Sequence, residues 1–410
     1  MFEHALKLIW NRRRANLLVI VEVAVAFVVV FVVVALALRV WSNYQRPLGF
    51  TYENVWRVVI VNEAVVRAPG RSQDGMRETT DDVLAALRRL PGVEAAHASR
   101  STPFTDAGWV TPMGRAASID KAHQSIMDAG APATLGIRVV AGRSFGPQDE
   151  GQDYIPALVT RVFVERAFGS ENPLGARINH IKATDLARLP PEIAAVAARE
   201  VRVVGVIDDF RQYGEFSDAE PLVIQRLDPN AGSTQLFVKV APGTQRTFEE
   251  RIIATGAAAA PGWRAVLVTP WEQLRATMHQ ETLRPLRMGA TLGAFLLAMV
   301  ALGLIGIVWQ DVVRRTQEIG LRRAAGASAA RVRSQIVLET VIVGVFGVAI
   351  GPAIAAQFPL LALVARIDWT MALPALVVSA AIILALAALA ALYPAWLAAR
   401  REPADALRYE

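Results

Sequence analysis

Four long apolar runs constrain this chain of 410 residues more than any other feature of its sequence. The first, residues 17–38, consists of Val, Ile, Leu, Ala and Phe and is interrupted only by Glu22. As a helix it would rise about 33 Å, which is enough to cross the hydrocarbon core of a bilayer. Runs of similar length cover residues 288–309, 336–357 and 373–392. The sequence therefore predicts four membrane-spanning helices.

The first run admits a second interpretation, as the core of a cleaved signal peptide. It is longer than a typical signal core, which favours an uncleaved anchor. Residues 1–16 then form a short N-terminal segment, and residues 39–287, which are mostly polar, form a large domain between spans one and two. Residues 310–335 connect spans two and three, and residues 393–410 form a tail. The expected fold class is a membrane α-helical protein with a large α+β extracytoplasmic domain of two subdomains.

Basic residues near the span ends predict the orientation. They cluster before span one, in the 310–335 loop and in the tail: Arg12, Arg13, Arg14, Arg314, Arg315, Arg322, Arg323, Arg331, Arg333, Arg400, Arg401 and Arg408. By the positive-inside rule, both termini and this loop are cytoplasmic, and residues 39–287 are periplasmic in a bacterial inner membrane. The net charge of +6 is thus explained by topology, and we expect no nucleic-acid partner.

The two ends of the large domain show the same pattern of elements. Alternating and β-branched runs predict strands at residues 55–61, 93–98, 235–240 and 265–268, with helices at 81–90, 247–258 and 271–283. These form two β-α-β units that pack as one subdomain, from about 50–100 and 231–283. Residues 101–230, with a clear strand at 201–207, form the inserted second subdomain.

Motifs for chemistry are absent from the sequence. There is no cysteine and no G-x-x-x-x-G-K-[ST] phosphate loop, so any nucleotide motor is expected on another chain. The five histidines, which are His4, His97, His123, His180 and His279, have no His, Asp or Glu neighbour at metal-ligand spacing. Asp208 and Asp209 follow a strand and are interpreted as turn residues rather than an acid–base pair. We expect no catalytic, cofactor or metal site on this chain.

Two features of the spans stay open between structural and functional interpretations. Glu22 is an ionisable residue near the cytoplasmic end of span one, where it either pairs with an arginine or takes part in gating. Gly289 with Gly293, and Gly347 with Gly351, form G-x-x-x-G pairs that permit close helix packing and weakly favour oligomerisation.

The cytoplasmic loop carries the most informative sequence. Residues 311–325 predict a short amphipathic helix, which Gly326 ends and after which Ser328 caps the next helix. From physical chemistry alone, a helix lying on anionic lipid remains an alternative.

This loop resembles the hallmark of the FtsX/MacB-type ABC transporter permeases, roughly R-x-x-E-I-G-[IL]-R-[RK]-A-x-G-A. The matching positions include Arg315, Glu318, Ile319, Gly320, Leu321, Arg322, Arg323, Ala324, Gly326 and Ala327. Residues 393–408 resemble the C-terminal P-A-x-x-A-A-R-x-x-P-x-x-A-L-R of the same family. Residues 135–145, 168–175 and 203–210 resemble its MacB-type periplasmic core.

The resemblance implies a mechanism. Such permeases act as dimers, either of two copies or of two homologous chains, with ATPase subunits that bind ATP and Mg²⁺. The ATPase-coupling residues would be Arg315, Glu318, Ile319, Gly320, Leu321, Arg322, Arg323 and Gly326. ATP hydrolysis on the separate ATPase would move the periplasmic domain, a mechanotransmission that serves export or efflux with a periplasmic adaptor. The alternatives are an FtsX-like regulator of an extracytoplasmic enzyme, a LolC/LolE-like lipoprotein-releasing permease, and a membrane sensor without an ATPase.

Overall fold

The computed structural model describes residues 13–62, 73–105, 109–114, 118–179, 198–228, 232–260, 263–361 and 367–400. The helices are α1 Arg13–Tyr44, α2 Gln73–Arg88, α3 Ala131–Thr134, α4 Arg161–Ala167, α5 Phe248–Ala259, α6 Trp271–Arg314, α7 Thr316–Ala324, α8 Ala329–Ala355, α9 Gln357–Leu360 and α10 Trp369–Arg400. The strands are β1 Val55–Asn62, β2 Val93–Ala98, β3 Trp109–Met113, β4 Ile119–Met127, β5 Val139–Gly142, β6 Tyr154–Thr160, β7 Glu200–Ile207, β8 Leu222–Arg226, β9 Gln235–Val240 and β10 Trp263–Pro270. The chain divides into a membrane unit, Met1–Ser42 with Thr282–Glu410, and an outer unit, Asn43–Glu281.

Four helical segments are long and apolar enough to cross a membrane: Leu17–Tyr44, Trp271–Arg314, Ala329–Leu360 and Trp369–Arg400. Each contains one of the four apolar runs and extends beyond at least one end of it. The longest, α6, has 44 residues and rises about 66 Å, roughly twice the hydrocarbon thickness. It carries Pro285 in its interior.

The core of the membrane unit lies where α1 meets the other long helices. Phe27 and Phe31 of α1 are fully buried in one apolar cluster with Leu304 of α6 and Ile383 of α10. The buried side of α10 consists mostly of alanines, and a methyl group added at Gly344 of α8 would lie 3.3 Å from Ala387. Small side chains therefore let α8 and α10 pack closely.

Four strands of the outer unit form one antiparallel sheet in the order β10-β1-β9-β2. The units β1-α2-β2 and β9-α5-β10 interleave in this sheet, which is a split β-α-β arrangement. Val58 and Ile60 of β1 are buried in one cluster with Leu87 of α2 and Ile252 of α5. These contacts place both helices against one face of the sheet.

The elements of this sheet were predictable, with two corrections to their bounds. The strands predicted at 55–61, 93–98 and 235–240 are confirmed, and the strand predicted at 265–268 is longer, at Trp263–Pro270. The helix predicted at 81–90 begins instead at Gln73. Its first two turns are polar and lack an apolar period, although Met76 packs against the core of this sheet.

The second sheet has six strands in the order β3-β4-β8-β6-β7-β5. The pairs β4–β8 and β6–β7 are parallel, and the other neighbours are antiparallel. Apolar clusters cover both faces, one containing Val159 and Phe163 and the other Leu158 and Ile224. Of these strands, the sequence predicted β7 alone.

Candidate functional site

The cytoplasmic loop forms a separate short helix, α7. The predicted helix over residues 311–325 is wrong at its start, because residues 311–314 complete α6 and α7 begins only at Thr316. At its end, Gly326 adopts φ +94°, its N–H donates to Arg323 O (3.0 Å), and the N–H of Ala327 donates to Arg322 O (3.0 Å). This is a Schellman end, which favours glycine because the left-handed conformation strains other residues. The predicted stop is therefore confirmed.

The cap of the following helix is confirmed as well. The Ser328 hydroxyl accepts a hydrogen bond from the N–H of Arg331 at the start of α8. Only a few residues separate the two helices, so the first turns of α8 lie beside α7.

A chain of polar side chains fixes both ends of α7 to α8. Arg315 donates to Glu339 Oε2 (2.9 Å), and Gln335 donates to Glu339 Oε1 (3.0 Å). Arg322 donates to Gln335 Oε1 (3.0 Å) and also pairs with Glu318. These five residues are here called the α7–α8 network. Because several charge-assisted bonds act together, α7 is held more firmly than by one surface ion pair.

A third helix also holds α7. The Arg323 guanidinium donates to the backbone oxygen of Ala399 (2.6 Å), near the C-terminus of α10, where a positive charge is favourable. Ile319 packs against the apolar cluster of Val308, Val312 and Ala398.

The eight predicted coupling residues therefore divide into two groups. Arg315, Ile319, Gly320 and Arg323 are buried or half-buried against neighbouring helices. The exposed group is Glu318, Leu321, Arg322 and Gly326. Leu321 is the large apolar side chain of this face and is 62% exposed. A leucine this exposed among polar neighbours is typical of an interaction surface when further apolar surface surrounds it, as Ala324 and Ala325 do here.

Sequence reasoning missed Gln335 and Glu339. Both lie four residues apart on one side of α8, and a carboxylate at position 339 interrupts an apolar run. That interruption was the available signal, because ionisable residues in spans usually have a specific partner.

The glycine pairs contact α1 within the same chain. A methyl group added at Gly289 would lie 3.1 Å from Val33, and one at Gly293 would lie 3.9 Å from Val29. On α8, a methyl at Gly351 would lie 2.5 Å from the Phe27 ring. The fourth glycine, Gly347, likewise abuts α1, at Val23.

The carboxylate of Glu22 lies on the side of α1 that faces α6. A methyl group added at Gly303 would lie 3.0 Å from its Oε2 atom. The absence of a side chain at Gly303 therefore leaves room for the carboxylate between the two helices.

In the outer unit, the motif glycines lie where backbones approach closely. Gly142 (φ +74°) abuts the carbonyl of Val204, and Gly205 abuts the carbonyl of Arg143. A side chain at either position would push β5 and β7 apart.

A buried ion pair follows the first of these glycines. Arg143 donates to both carboxylate oxygens of Asp149 (2.7 and 2.5 Å), and the N–H of Gly146 donates to the same group (3.0 Å). Burial alone would raise the pKa of Asp149, but the hydrogen bonds from Arg143 and Gly146 outweigh it and lower the pKa. Asp149 is thus charged in the folded protein at neutral pH.

The fold gives three histidines the carboxylate neighbours that their sequence spacing did not indicate. His97 contacts Asp128 (2.7 Å), His123 contacts Glu220 (2.6 Å) and His279 contacts Glu215 (2.7 Å). His4 and His180 lie outside the described residues. No three His, Cys, Asp or Glu side chains group as metal ligands in the described part of the chain.

The two predicted turn carboxylates make separate contacts. Asp208 pairs with Arg138 and with Arg161 (3.0 Å), whereas Asp209 accepts the N–H of Phe210 (2.8 Å). Burial raises the pKa of Asp209. The two carboxylates therefore do not form a pair that shares a proton.

Comparison with known families decides what kind of protein this is. The family "FtsX-like permease C-terminal" matches residues 290–403, and the family "MacB-like periplasmic core domain" matches residues 18–255, more than half of the chain. The chain belongs to the MacB/FtsX-type family of ABC transporter permeases. The first match contains α7 and the α7–α8 network, and the second contains the Gly142 and Gly205 contacts.

Curated relatives of this permease are macrolide exporters by name. The chain is 24% identical over 373 residues to a "Macrolide export ATP-binding/permease protein MacB" of Bdellovibrio bacteriovorus, which covers 86% of the chain and 53% of that relative. It is 23% identical over 222 residues to MacB 2 of Aeromonas hydrophila subsp. hydrophila, covering 53% of the chain and 32% of the relative. The chain thus spans between about a third and about half of the length of these relatives.

Solved structures with similarity to this permease include outer regions of related transporters. The periplasmic region of MacB from Actinobacillus actinomycetemcomitans matches with a TM-score of 0.37 at 12% identity, over 58% of this chain and 98% of that one. The extracellular domain of the transporter YknZ from Gram-positive bacteria matches with a TM-score of 0.33 at 12% identity, over 52% and 100%.

Proposed function

We propose that this chain is the permease subunit of an ABC-type export or efflux system. A separate ATPase binds ATP and Mg²⁺, docks on α7 and drives movement of the outer unit, which lies in the periplasm. The chain works in the inner membrane as a dimer, with a second copy or a homologous permease, and with a periplasmic adaptor. Export is inferred from the relatives whose names include macrolide export.

The contacts that hold α7 against α8 and α10 are the main support for this proposal. The α7–α8 network ties α7 to one span, and Arg323 ties it to another. A load applied to α7 would therefore pass directly into α8 and α10. A helix that only rested on lipid would not need these attachments.

The exposed face of α7 gives the proposed contact its chemistry. Leu321 would insert into an apolar groove of the ATPase, with Glu318 and Arg322 at its polar edge. Burying one leucine side chain contributes about 1.5–3 kcal/mol, which corresponds to roughly 10- to 100-fold in affinity.

The test is co-purification of the ATPase from membranes of the native host. We expect Leu321→Asp to reduce the amount of bound ATPase by about tenfold or more. Glu318→Arg should also release it, because the substitution reverses a charge on the same face. The matched control is Leu267→Asp, since Leu267 is also exposed (45%) but lies on β10 in the outer unit. Unchanged association in both α7 variants would refute the proposed contact.

A further inference from the structure

The connection between β7 and β8 contacts two helices, α1 and α6. Residues 208–218, here called the clamp segment, follow β7 and lead to β8 in the six-stranded sheet. The segment binds the C-terminal end of α1 and the first turns of α6. These two helices also contain spans one and two.

The attachment to α1 is built around the buried side chain of Arg211, which is 1% exposed. One terminal nitrogen donates to the backbone oxygens of Asn43 (2.6 Å) and Arg46 (3.3 Å). The other donates to the backbone oxygens of Glu215 (2.9 Å) and Ser217. One guanidinium therefore closes the clamp segment on itself and binds it to the end of α1.

A second set of contacts repeats this attachment. The Asn43 side chain donates to Phe216 O (3.2 Å) and to Asp218 Oδ1 (2.9 Å). The Tyr44 ring stacks on the Phe216 ring, with centroids 5.9 Å apart. The last residues of α1 thus contact both the backbone and the side chains of the clamp segment.

The attachment to α6 depends on the side chain of Glu215. Arg275 donates to one carboxylate oxygen, and His279, one turn later, lies 2.7 Å from the other. The His279 ring also packs on Phe216, with centroids 4.5 Å apart. Burial alone would raise the pKa of Glu215, but hydrogen bonds from His279, its own backbone N–H and Arg275 lower it.

We propose that the clamp segment joins α1 and α6 to the six-stranded sheet as one mechanical unit, with Arg211 and Glu215 as its positioning residues. This inference rests on the proposed function, because it specifies where motion of spans one and two would enter the outer unit. The contacts of Arg211 and Glu215 link the positions of the two helices. Arg211 binds the backbone oxygen of Glu215, whose carboxylate binds α6, so a shift of either helix alters the bonds to the other.

The burial of Arg211 and Glu215 makes the junction cooperative. A buried charge that loses its partner is strongly unfavourable, so the bonds form together or open together. Two independent surface contacts would open separately instead.

Amide hydrogen exchange on the full-length chain in detergent tests this coupling. We expect Glu215→Gln to speed exchange by about tenfold or more both at residues 275–281 and at the Arg46 amide, which donates to Asn43 O. A tenfold change corresponds to about 1.4 kcal/mol. The Glu215 side chain does not bind residues 43–46 in these contacts, so the effect there must pass through the clamp segment. Its two routes are Arg211 and Phe216, which packs on His279 and contacts the end of α1. Faster exchange at 275–281 with residues 43–46 within about twofold of the parent would overturn the proposal.

Three further variants separate coupling from general loss of stability. Asp128→Asn removes another histidine–carboxylate pair of the outer unit (His97, 2.7 Å) and should leave exchange at residues 43–46 within about twofold. Arg275→Lys keeps the charge opposite Glu215 and should restore most of the protection that Arg275→Met removes at the same residues. Equal exchange at 43–46 in Asp128→Asn and Glu215→Gln would contradict the proposal.

A second experiment, co-purification of the ATPase with the Glu215→Gln variant, tests the clamp segment separately from the docking contact on α7. Glu215→Gln should retain the ATPase on purification, since α7 is unchanged, but lose any ATP-dependent change in exchange of β6 and β7. Loss of the ATPase in this variant would contradict a role confined to the clamp segment. Failure of Leu321→Asp to release the ATPase would refute the docking contact while leaving the exchange test of the clamp segment valid.

Discussion

Replacing Arg143 with alanine tests how strongly one motif residue holds the outer unit together. The Asp149 side chain is 0% exposed and binds Arg143 through both of its oxygens. Arg143→Ala removes these two charge-assisted bonds and leaves the Gly146 N–H as the remaining protein donor in this site. The carboxylate would then be buried with the charge of Arg226 as its remaining electrostatic support.

The expected cost follows from that geometry. Because the Arg143 side chain is 36% exposed, water screens part of the interaction. We therefore expect a loss of about 2–3 kcal/mol, below the value for a pair that is buried on both sides. For a unit of this size, such a loss lowers the melting temperature by roughly 4–12 °C. Arg138→Ala is the control, since its guanidinium is 71% exposed and the pair it forms should contribute at most about 1 kcal/mol.

The pH dependence of this loss of stability tests the role of the Asp149 charge more directly. Because the folded protein lowers the pKa of Asp149, its stabilisation is complete above the unfolded pKa of about 3.9 and disappears as pH falls through the lower folded value. Thermal unfolding of the full chain is monitored by amide hydrogen exchange in β5 to β7. The stability of the parent and of Arg143→Ala should differ strongly at pH 7. That difference should shrink near pH 3. A difference below about 1 kcal/mol at pH 7, or one that stays constant down to pH 3, would refute the reasoning.

Two glycine substitutions, each with a glycine control, test close packing. Gly347→Ala should destabilise the detergent-solubilised chain by about 1–3 kcal/mol, because the added methyl overlaps α1. Gly306→Ala meets no atom within 4 Å and should leave the melting temperature unchanged or slightly raised, as alanine favours helix. In the outer unit, Gly49 has φ +86° and abuts the carbonyl of Asp209, so Gly49→Ala should lower the yield of folded protein in size-exclusion chromatography. Gly151 has φ +71° but open space around it, so Gly151→Ala should cost only the strain of about 1 kcal/mol. Equal behaviour within either pair would contradict the packing argument.

The membrane helices were predictable because their signal is simple. An apolar run of about 20 residues has few alternatives once its backbone must be satisfied in lipid. The partly exposed tryptophans Trp41, Trp309, Trp369 and Trp396 lie near the ends of these helices. The helix ends were less predictable, since polar residues can continue a helix beyond the bilayer without any change in hydropathy.

Some strands of the outer unit alternate between apolar and polar residues, and others do not. Strand β1 alternates, so Val58 and Ile60 stand out from Arg57 in the sequence. Strands β6 and β8 are buried on both faces over most of their length. A short continuous apolar run lacks a period that distinguishes strand from helix, so these strands were missed.

The candidate site was predicted in position but not in structure. The family pattern located α7, and the roles of Gly326 and Ser328 followed from capping chemistry. The partners of its arginines did not follow, because Glu339 and Ala399 lie far along the chain. Contacts between distant segments depend on the packing of α7, α8 and α10, which a local sequence pattern does not contain.

Pro285 affects how α6 can respond to force. Proline lacks an N–H, so the carbonyl of Glu281 lacks its usual helical donor. This gap lies at the residue pair where the membrane and outer units divide, Glu281 and Thr282. The remaining hydrogen bonds run along the axis and still resist compression, whereas bending concentrates where one is missing. In the proposed mechanism, α6 would therefore transmit push and pull along its axis and absorb sideways tilt near Pro285.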